Sequence, residues 1–199
     1  ERTGYPEVFC ATWPKNSKPN VIRMIKKLTV SGLDRGLTLS VQSMSDKVLG
    51  AVKRRNMDMS NFRAMLELCN KEQVPSYTEL ILGLPEETFE SWRSGICEII
   101  EAGQHNSIDV WLHQILTNAE MNSPESHEKY QLNTVTTKKY LGGLESSEDV
   151  SETAKLVNAT STMLFDDYIR SYMYSWCVIN FHTYGWTQIF ARFLRSFSD

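Results

Sequence analysis

The chain has 199 residues, 41% hydrophobic and 23% charged, the profile of a globular protein with one sizeable core rather than of a disordered chain. Its 21 basic and 24 acidic residues leave a net charge of −3, which excludes the basic footprint of a nucleic-acid binder. Cys10, Cys69, Cys97 and Cys177 stand 59, 28 and 80 residues apart, with no CxxC pair or zinc-type cluster, and read as reduced, buried residues of a cytoplasmic protein.

The chain begins Glu-Arg-Thr-Gly-Tyr-Pro, without an initiator Met or a signal pattern, and is expected to be a trimmed or interior piece of a longer protein. Residues 7–12 (EVFCAT) predict a short buried strand, followed by a loop through Lys15 and Asn16. Pro19 suits the first turn of a helix, Val21, Ile22, Ile25 and Leu28 form its apolar stripe, and Gly32 stops it. Residues 37–41 predict the next strand. Ser43 or Ser45 caps a helix carrying Val48, Leu49 and Val52, and Arg54, Arg55 and Asn56 close it. Ser60 is expected to cap a further helix with Phe62, Met65, Leu66 and Cys69 on one face.

Residues 77–82 predict a third strand, ended by Gly83-Leu84-Pro85. Thr88 caps a helix bearing Phe89, Trp92, Ile96, Ile99 and Ile100, which Gly103 ends. Residues 108–116 (IDVWLHQIL) predict a fourth strand. Four strands alternating with helices imply a parallel sheet with right-handed crossovers. Residues 117–147 read as a polar loop with short helices. From Ser151 a helical pattern returns, with Phe165, Tyr168, Ile169, Tyr172, Met173, Trp176 and Ile179 at helical spacing and a last helix after Gly185. Eleven of the 21 aromatics lie in residues 165–197, so this tail is expected to bury against the sheet or a partner. Residues 171–191 lack Asp, Glu, Lys and Arg, yet Asn180, His182, Gly185 and Gln188 make them a poor bilayer span. The expected division is 1–116, 117–150 and 151–199.

In parallel α/β folds ligands bind at the carboxyl ends of the strands. Gln42 and Ser43 follow one strand, and Glu79 sits inside the next on the same face as Ile81 and Gly83. A carboxylate there is either solvated or aimed into a site. Gly83 lets a ligand or another backbone approach closely. Arg54 reads either as a ligand contact or as a cation at a helix C-terminus, and Glu79 as a ligand contact or a partner for a nearby Lys or Arg. Ser43 is a ligand contact or a helix cap. His105, His113, His127 and His182 show no metal spacing, and His113 reads as surface or packed rather than as a barrel lining. Glu86, Glu87 and Glu90 fit a helix start rather than an acid–base pair.

The ordered set Gln42-Ser43, Arg54-Arg55-Asn56 and Glu79-Leu-Ile-Leu-Gly-Leu-Pro-Glu-Glu-Thr resembles the radical S-adenosylmethionine (SAM) superfamily, and more narrowly its cobalamin-binding-type proteins. Thr3-Gly-Tyr-Pro, Lys15-Asn16, the run from Leu116 to Glu125 and Lys129-Tyr130 add to the resemblance, which covers roughly residues 3–132. It implies an α/β fold, a partial (β/α) TIM-type barrel of about four parallel βα units followed by a helical C-terminal region. It also implies roles. Gln42 and Glu79 would contact the ribose or methionine part of SAM, Arg54 its carboxylate and Ile81 its adenine, while Gly83 gives the ligand room. Ile81, Gly83 and Glu86 match the family's fifth-strand motif.

The family's Cys-x3-Cys-x2-Cys loop, which binds a [4Fe–4S] cluster, is absent from this sequence, so no metal ligands are expected here. The resemblance implies that the cluster and cobalamin belong to other parts of a parent protein, which makes a 5′-deoxyadenosyl radical or transfers methyl groups on an unidentified substrate. The chain by itself is expected to be catalytically silent. The alternative is a free-standing interaction or oligomerisation module with a degenerate half-barrel, whose aromatic tail covers the missing half or docks to another chain. In either case the open barrel edge is expected to be covered, by a homodimer or by the C-terminal helices. An unrelated α/β-barrel enzyme lacks an acid–base or metal constellation to support it.

Overall fold

A computed structural model describes residue 9 and residues 19–138 and 152–197. The strand expected over residues 7–12 and the loop residues Lys15 and Asn16 lie outside them, Phe9 apart. Helix α1 (Pro19–Val30) starts at its proline and buries Ile22 and Ile25. β1 (Leu37–Thr38), β2 (Ser76–Leu82) and β3 (Ser107–Leu112) form a three-stranded parallel sheet in the order β1-β2-β3. Between them run α2 (Asp46–Ala51), α3 (Met59–Glu72) and α4 (Phe89–Glu101). The alternation expected from the sequence is therefore present, as an open sheet rather than a closed barrel.

β1 is assigned only two residues, but its ladder continues: the N–H groups of Leu39 and Val41 donate to the Tyr77 and Glu79 carbonyls, and Ile81 donates back to Gln42. Local chemistry sets the helix starts. Asp58, not Ser60, caps α3: its Oδ1 accepts the Asn61 N–H at 2.9 Å, and the Ser60 hydroxyl instead donates to the same carboxylate. A carboxylate outcompetes a hydroxyl here because it accepts several donors at once and complements the helix dipole. Thr88 caps α4 as expected, in a reciprocal capping box with Ser91.

One face of the parallel sheet is sealed. Ser76, Thr78, Leu80 and Leu82 of β2 are buried, and Leu37, Leu39, Val41, Phe62, Leu66, Trp92, Ile96, Ile99 and Ile108 complete that core with α1. The other face alternates out of it, with Tyr77, Glu79 and Ile81 half-buried and Trp111 57% exposed. Parallel sheets are normally covered on both faces, so this one has the form of part of a barrel wall.

After β3 the chain changes sheet. β4 (Gln114–Ile115) pairs antiparallel with β6 (Thr153–Ala159), which pairs in turn with β5 (Asn133–Lys138). The single strand expected over 108–116 is thus two strands in two sheets. The loop and helix expected around 133–138 and from 151 onward are strands at those points, with α5 (Pro124–Tyr130) ahead of them. This second sheet draws one strand from each of the three expected divisions, and it packs a small core of Ile115, Tyr130, Leu132 and Val157.

α6 (Phe165–Cys177), a π-helical turn over Val178–Thr183 and α7 (Gln188–Arg195) follow. α6 turns Tyr168, Ser171 and Ser175 inward, and the Trp92 indole N–H donates to Ser175 Oγ at 2.9 Å. Its Phe165, Ile169, Tyr172, Met173 and Trp176 face outward. The tail docks through small residues and leaves its aromatic stripe uncovered. The thiols of Cys69, Cys97 and Cys177 are free, and burial pushes that of Cys69 up to about 11. No helix among the described residues is long and apolar enough to cross a membrane.

Candidate functional site

A cleft of about 1070 Å³ opens at the carboxyl end of the parallel strands. Three layers of sequence build it. The strand ends contribute Gln42, Ile81 and His113, the first turn of α2 contributes Lys47, and the residues just after that helix contribute Lys53 and Arg54. The segment from Leu116 to Tyr130 forms the far wall, including Glu120, Met121, Glu125 and Lys129. The backbone shapes the rim: Gln42 (φ 64°), Lys53 (φ 53°) and Glu86 (φ 67°) all adopt left-handed conformations that cost non-glycine residues energy.

Most of the cleft's cations are already paired. Lys47 Nζ lies 2.7 Å from Glu86 Oε2, and Lys53 Nζ lies 2.6 Å from Glu120 Oε1. The Lys129 ammonium sits 4.6 Å above the Tyr130 ring. Among the described residues the Arg54 guanidinium is the cleft cation with no acidic or aromatic partner. Its backbone N–H is held by Leu49 O at 2.8 Å, which leaves the side chain to reach a ligand.

The six residues singled out from the sequence divide into two groups. Gln42, Arg54 and Ile81 come together in the cleft wall. Ser43, Glu79 and Gly83 are engaged elsewhere. Ser43 is 2% exposed and donates its hydroxyl to Glu87 Oε2 at 2.6 Å. Glu79 lies on the open sheet face and accepts from the Ser40 hydroxyl at 2.5 Å. Gly83 (φ 92°) needs the freedom of glycine, but the space where a Cβ would stand is bounded by Val157 O at 3.2 Å and the Tyr168 ring at 3.3 Å. Its missing side chain therefore admits the second sheet and α6, the backbone approach that the glycine also allowed.

Two residues of consequence stand in roles that the sequence did not assign them, since there Glu87 reads as a helix-start acid and His113 as surface or packed. Glu87 is 1% exposed, and burial raises the pKa of its carboxyl, which accepts from Ser43 and Ser91. His113 lines the cleft, against the surface or packed position expected from the sequence. Its ring is held below its ordinary pKa by burial.

The cleft suits SAM in part. It is roomy enough for a nucleoside-sized ligand, has an apolar patch at Ile81, Leu84 and Ile115, and offers one uncommitted guanidinium for a carboxylate. The described residues do not suit an iron–sulfur cluster. No group of three His, Cys, Asp or Glu side chains among them could hold a metal ion.

No family model matches the sequence. The chain is 36% identical over 192 residues to the cobalamin-dependent radical SAM methyltransferase TokK of Streptomyces tokunonensis, covering 96% of this chain and 28% of that protein. It is 34% identical over 197 residues to the 2-(S-pantetheinyl)-carbapenam-3-carboxylate methyltransferase of Streptantibioticus cattleyicolor, covering 99% of this chain and 29% of that protein. Among solved structures it is similar to the radical SAM coproporphyrinogen III oxidase HemN of Escherichia coli, at 22% identity and a TM-score of 0.39 over 49% of this chain and 22% of that one. It is also similar to the radical SAM methyltransferase TsrM of Kitasatospora setae with cobalamin and a [4Fe–4S] cluster bound, at 15% identity and a TM-score of 0.38 over 52% of this chain and 18% of that one.

The chain is homologous to radical SAM proteins. More narrowly, its homologues are cobalamin-dependent radical SAM methyltransferases, the group that the order of Gln42, Arg54, Glu79 and Gly83 resembled. It spans less than a third of the length of the two relatives it matches.

Proposed function

We propose that this chain forms the C-terminal part of the core of a cobalamin-dependent radical SAM methyltransferase, and that its cleft holds one side of SAM. The observation that carries the reading is the convergence of Gln42, Arg54 and Ile81 on one cleft, with Arg54 meeting no acidic or aromatic partner among the described residues. Arg54 would take the methionine carboxylate as a charge-assisted pair, Gln42 would hydrogen-bond the ligand, and Ile81 would supply apolar contact. Glu79, Ser43 and Gly83 would support the cleft from behind: Glu79 through Ser40, Ser43 through Glu87, and Gly83 by admitting α6. SAM, when bound, supplies an activated sulfonium. Radical generation and methyl transfer by the parent would depend on the cluster and cobalamin held outside these residues. A carbapenam carboxylate, the substrate class named for one relative, is the substrate to try first. A cytoplasmic setting goes with this reading, and the thiols of Cys69, Cys97 and Cys177 are free.

Calorimetric titration of SAM tests this. Arg54→Ala should weaken binding about tenfold or more, as loss of a charge-assisted hydrogen bond implies. Arg55→Ala, next to it but outside the cleft, should not. Equal losses in the two variants would refute the assignment.

A second reading draws on a different observation. α6 buries its serines and presents Ile169, Tyr172, Met173 and Trp176 outward, which suits a second copy of the chain docked on that face. Sedimentation velocity checks it. A dimer that Trp176→Glu converts to monomer supports an interaction module, and a monomer at all concentrations rejects it.

A further inference from the structure

His113 stands where the chain leaves one sheet for the other. Its backbone N–H donates to Leu82 O at 2.8 Å, and its carbonyl accepts from the Val157 N–H at 2.9 Å. The residue is thus anchored between the parallel and antiparallel sheets. Its ring nitrogen Nδ1 lies 2.9 Å from the Gly83 carbonyl oxygen. A carbonyl only accepts, so Nδ1 carries the proton. Burial lowers the imidazole pKa from 6.5, so at neutral pH the ring is uncharged and Nε2 is a bare acceptor.

Nothing among the described residues uses that acceptor. Among the described residues no donor reaches Nε2, and it is not among the buried unpaired atoms, so it remains open to a ligand. His113 forms part of the cleft wall together with Ile81, Leu84 and Ile115, whereas the α2 side of the same cleft is cationic, with Lys47, Lys53 and Arg54. A ligand that fills both sides would carry an anionic group for Arg54 and, on its apolar part, a neutral hydrogen-bond donor.

We propose that Nε2 of His113 is the cleft's fixed hydrogen-bond acceptor, taking an N–H or O–H from the heteroaromatic base or sugar of the bound nucleoside. The proposal rests on the reading of the cleft as a SAM site. Its chemistry is complementary to that of Arg54: the guanidinium can only donate, and this imidazole nitrogen can only accept. The Gly83 carbonyl sets the tautomer and the ring orientation, so the acceptor is organised before the ligand arrives. The same bond keeps His113 from serving as a proton donor while it is neutral.

The test uses the protein with 15N-labelled histidine. Long-range 1H–15N spectra should show His113 with a protonated Nδ1 and an unprotonated Nε2. Adding SAM should move the Nε2 resonance, and adding methionine, which has the carboxylate but no base, should not. His113→Asn retains a nitrogen donor at the position of Nδ1 but removes the acceptor. It should lower SAM affinity about tenfold with an unchanged melting temperature. His113→Gln, which can place an oxygen near the position of Nε2, should restore part of that affinity.

The opposite tautomer, or an Nε2 signal unmoved at SAM saturation, overturns the proposal. In the second case, binding that still depends on Arg54 leaves the cleft reading standing. If SAM binds nowhere on the protein, both fall. An equal shift with methionine places His113 at the wrong end of the ligand and also overturns it.

Discussion

The Ser43 hydroxyl donates to Glu87 Oε2 at 2.6 Å, joining two residues 44 positions apart at the base of the cleft. Ser91 donates to the other carboxylate oxygen and Thr162 Oγ1 to the Glu87 backbone carbonyl, so one buried residue ties the end of the β1 ladder, the cap of α4 and the approach to α6 together. Glu87→Ala should strand the Ser43 and Ser91 hydroxyls and leave a cavity, costing about 2–4 kcal/mol of stability by urea denaturation.

The pH dependence of Glu87→Gln follows from the direction of its shift. Burial raises the folded-state pKa above the ordinary 4.5. The carboxyl therefore favours the fold below that ordinary value, and the advantage is lost as pH rises through the raised pKa. Glu87→Gln does not titrate and should gain on the unaltered protein between pH 4 and pH 7. Denaturation curves at both ends of that range, with the difference unchanged, would refute a buried ionisable carboxyl.

Trp92 and Ser175 hold the tail on the core. Trp92 is 2% exposed and its indole N–H uses Ser175 Oγ, whose own hydroxyl proton goes to Ser171 O at 2.7 Å. Trp92→Ala should cost about 3–5 kcal/mol, and Ser175→Leu about 1–3 kcal/mol by overpacking. Both should increase hydrogen exchange in α6 more than in α1.

Gly83→Ala should be destabilising for two reasons that act together. The residue sits at φ 92°, and a Cβ would press on Val157 O and the Tyr168 ring. A loss of about 1–3 kcal/mol is expected from thermal melts, of the size that a strained backbone position carries.

His105 Nδ1 and His182 Nε2 lie 3.1 Å apart, joining the start of β3 to the π-helical turn. Burial lowers both pKa values; His182, Arg192 and Arg195 lower that of His105 further, and Arg192 that of His182. Depressed values mean that the unfolded chain binds protons first. Stability is full above about pH 6.5 and is lost as pH falls toward the lowered values. His182→Gln should shrink the drop in melting temperature between pH 7.5 and pH 5.5, leaving the parts contributed by His105 and His113.

Much of this fold was legible because its signals are local. Pro19, Thr88, Gly32 and Gly103 punctuate helices by backbone chemistry that needs no partner, and the apolar runs of β2 and β3 announce strands buried on one face. β5 was illegible because it is a mostly exposed strand, Asn-Thr-Val-Thr-Thr-Lys, with little apolar alternation. Its pairing with β6, Val135 opposite Leu156 and Thr136 opposite Lys155, is a tertiary fact. In α6 the aromatic periodicity marked a helix, but of that stripe the core takes up Tyr168, and close approach to Trp92 selects Ser171 and Ser175 over bulkier neighbours.

By itself the sequence determined the βα alternation, the face shared by Glu79, Ile81 and Gly83, and the kinship to radical SAM proteins, all of which depend on order and short-range spacing. The tertiary structure alone decided which polar groups reach the cleft. Gln42 and Arg54 do, whereas Ser43 is drawn inward by Glu87, Glu79 is held by Ser40, and His113 is exposed to the cleft where the chain crosses between sheets. Spacing places a side chain on a face, but its availability depends on competing partners dozens of residues away, and only packing brings those partners into range.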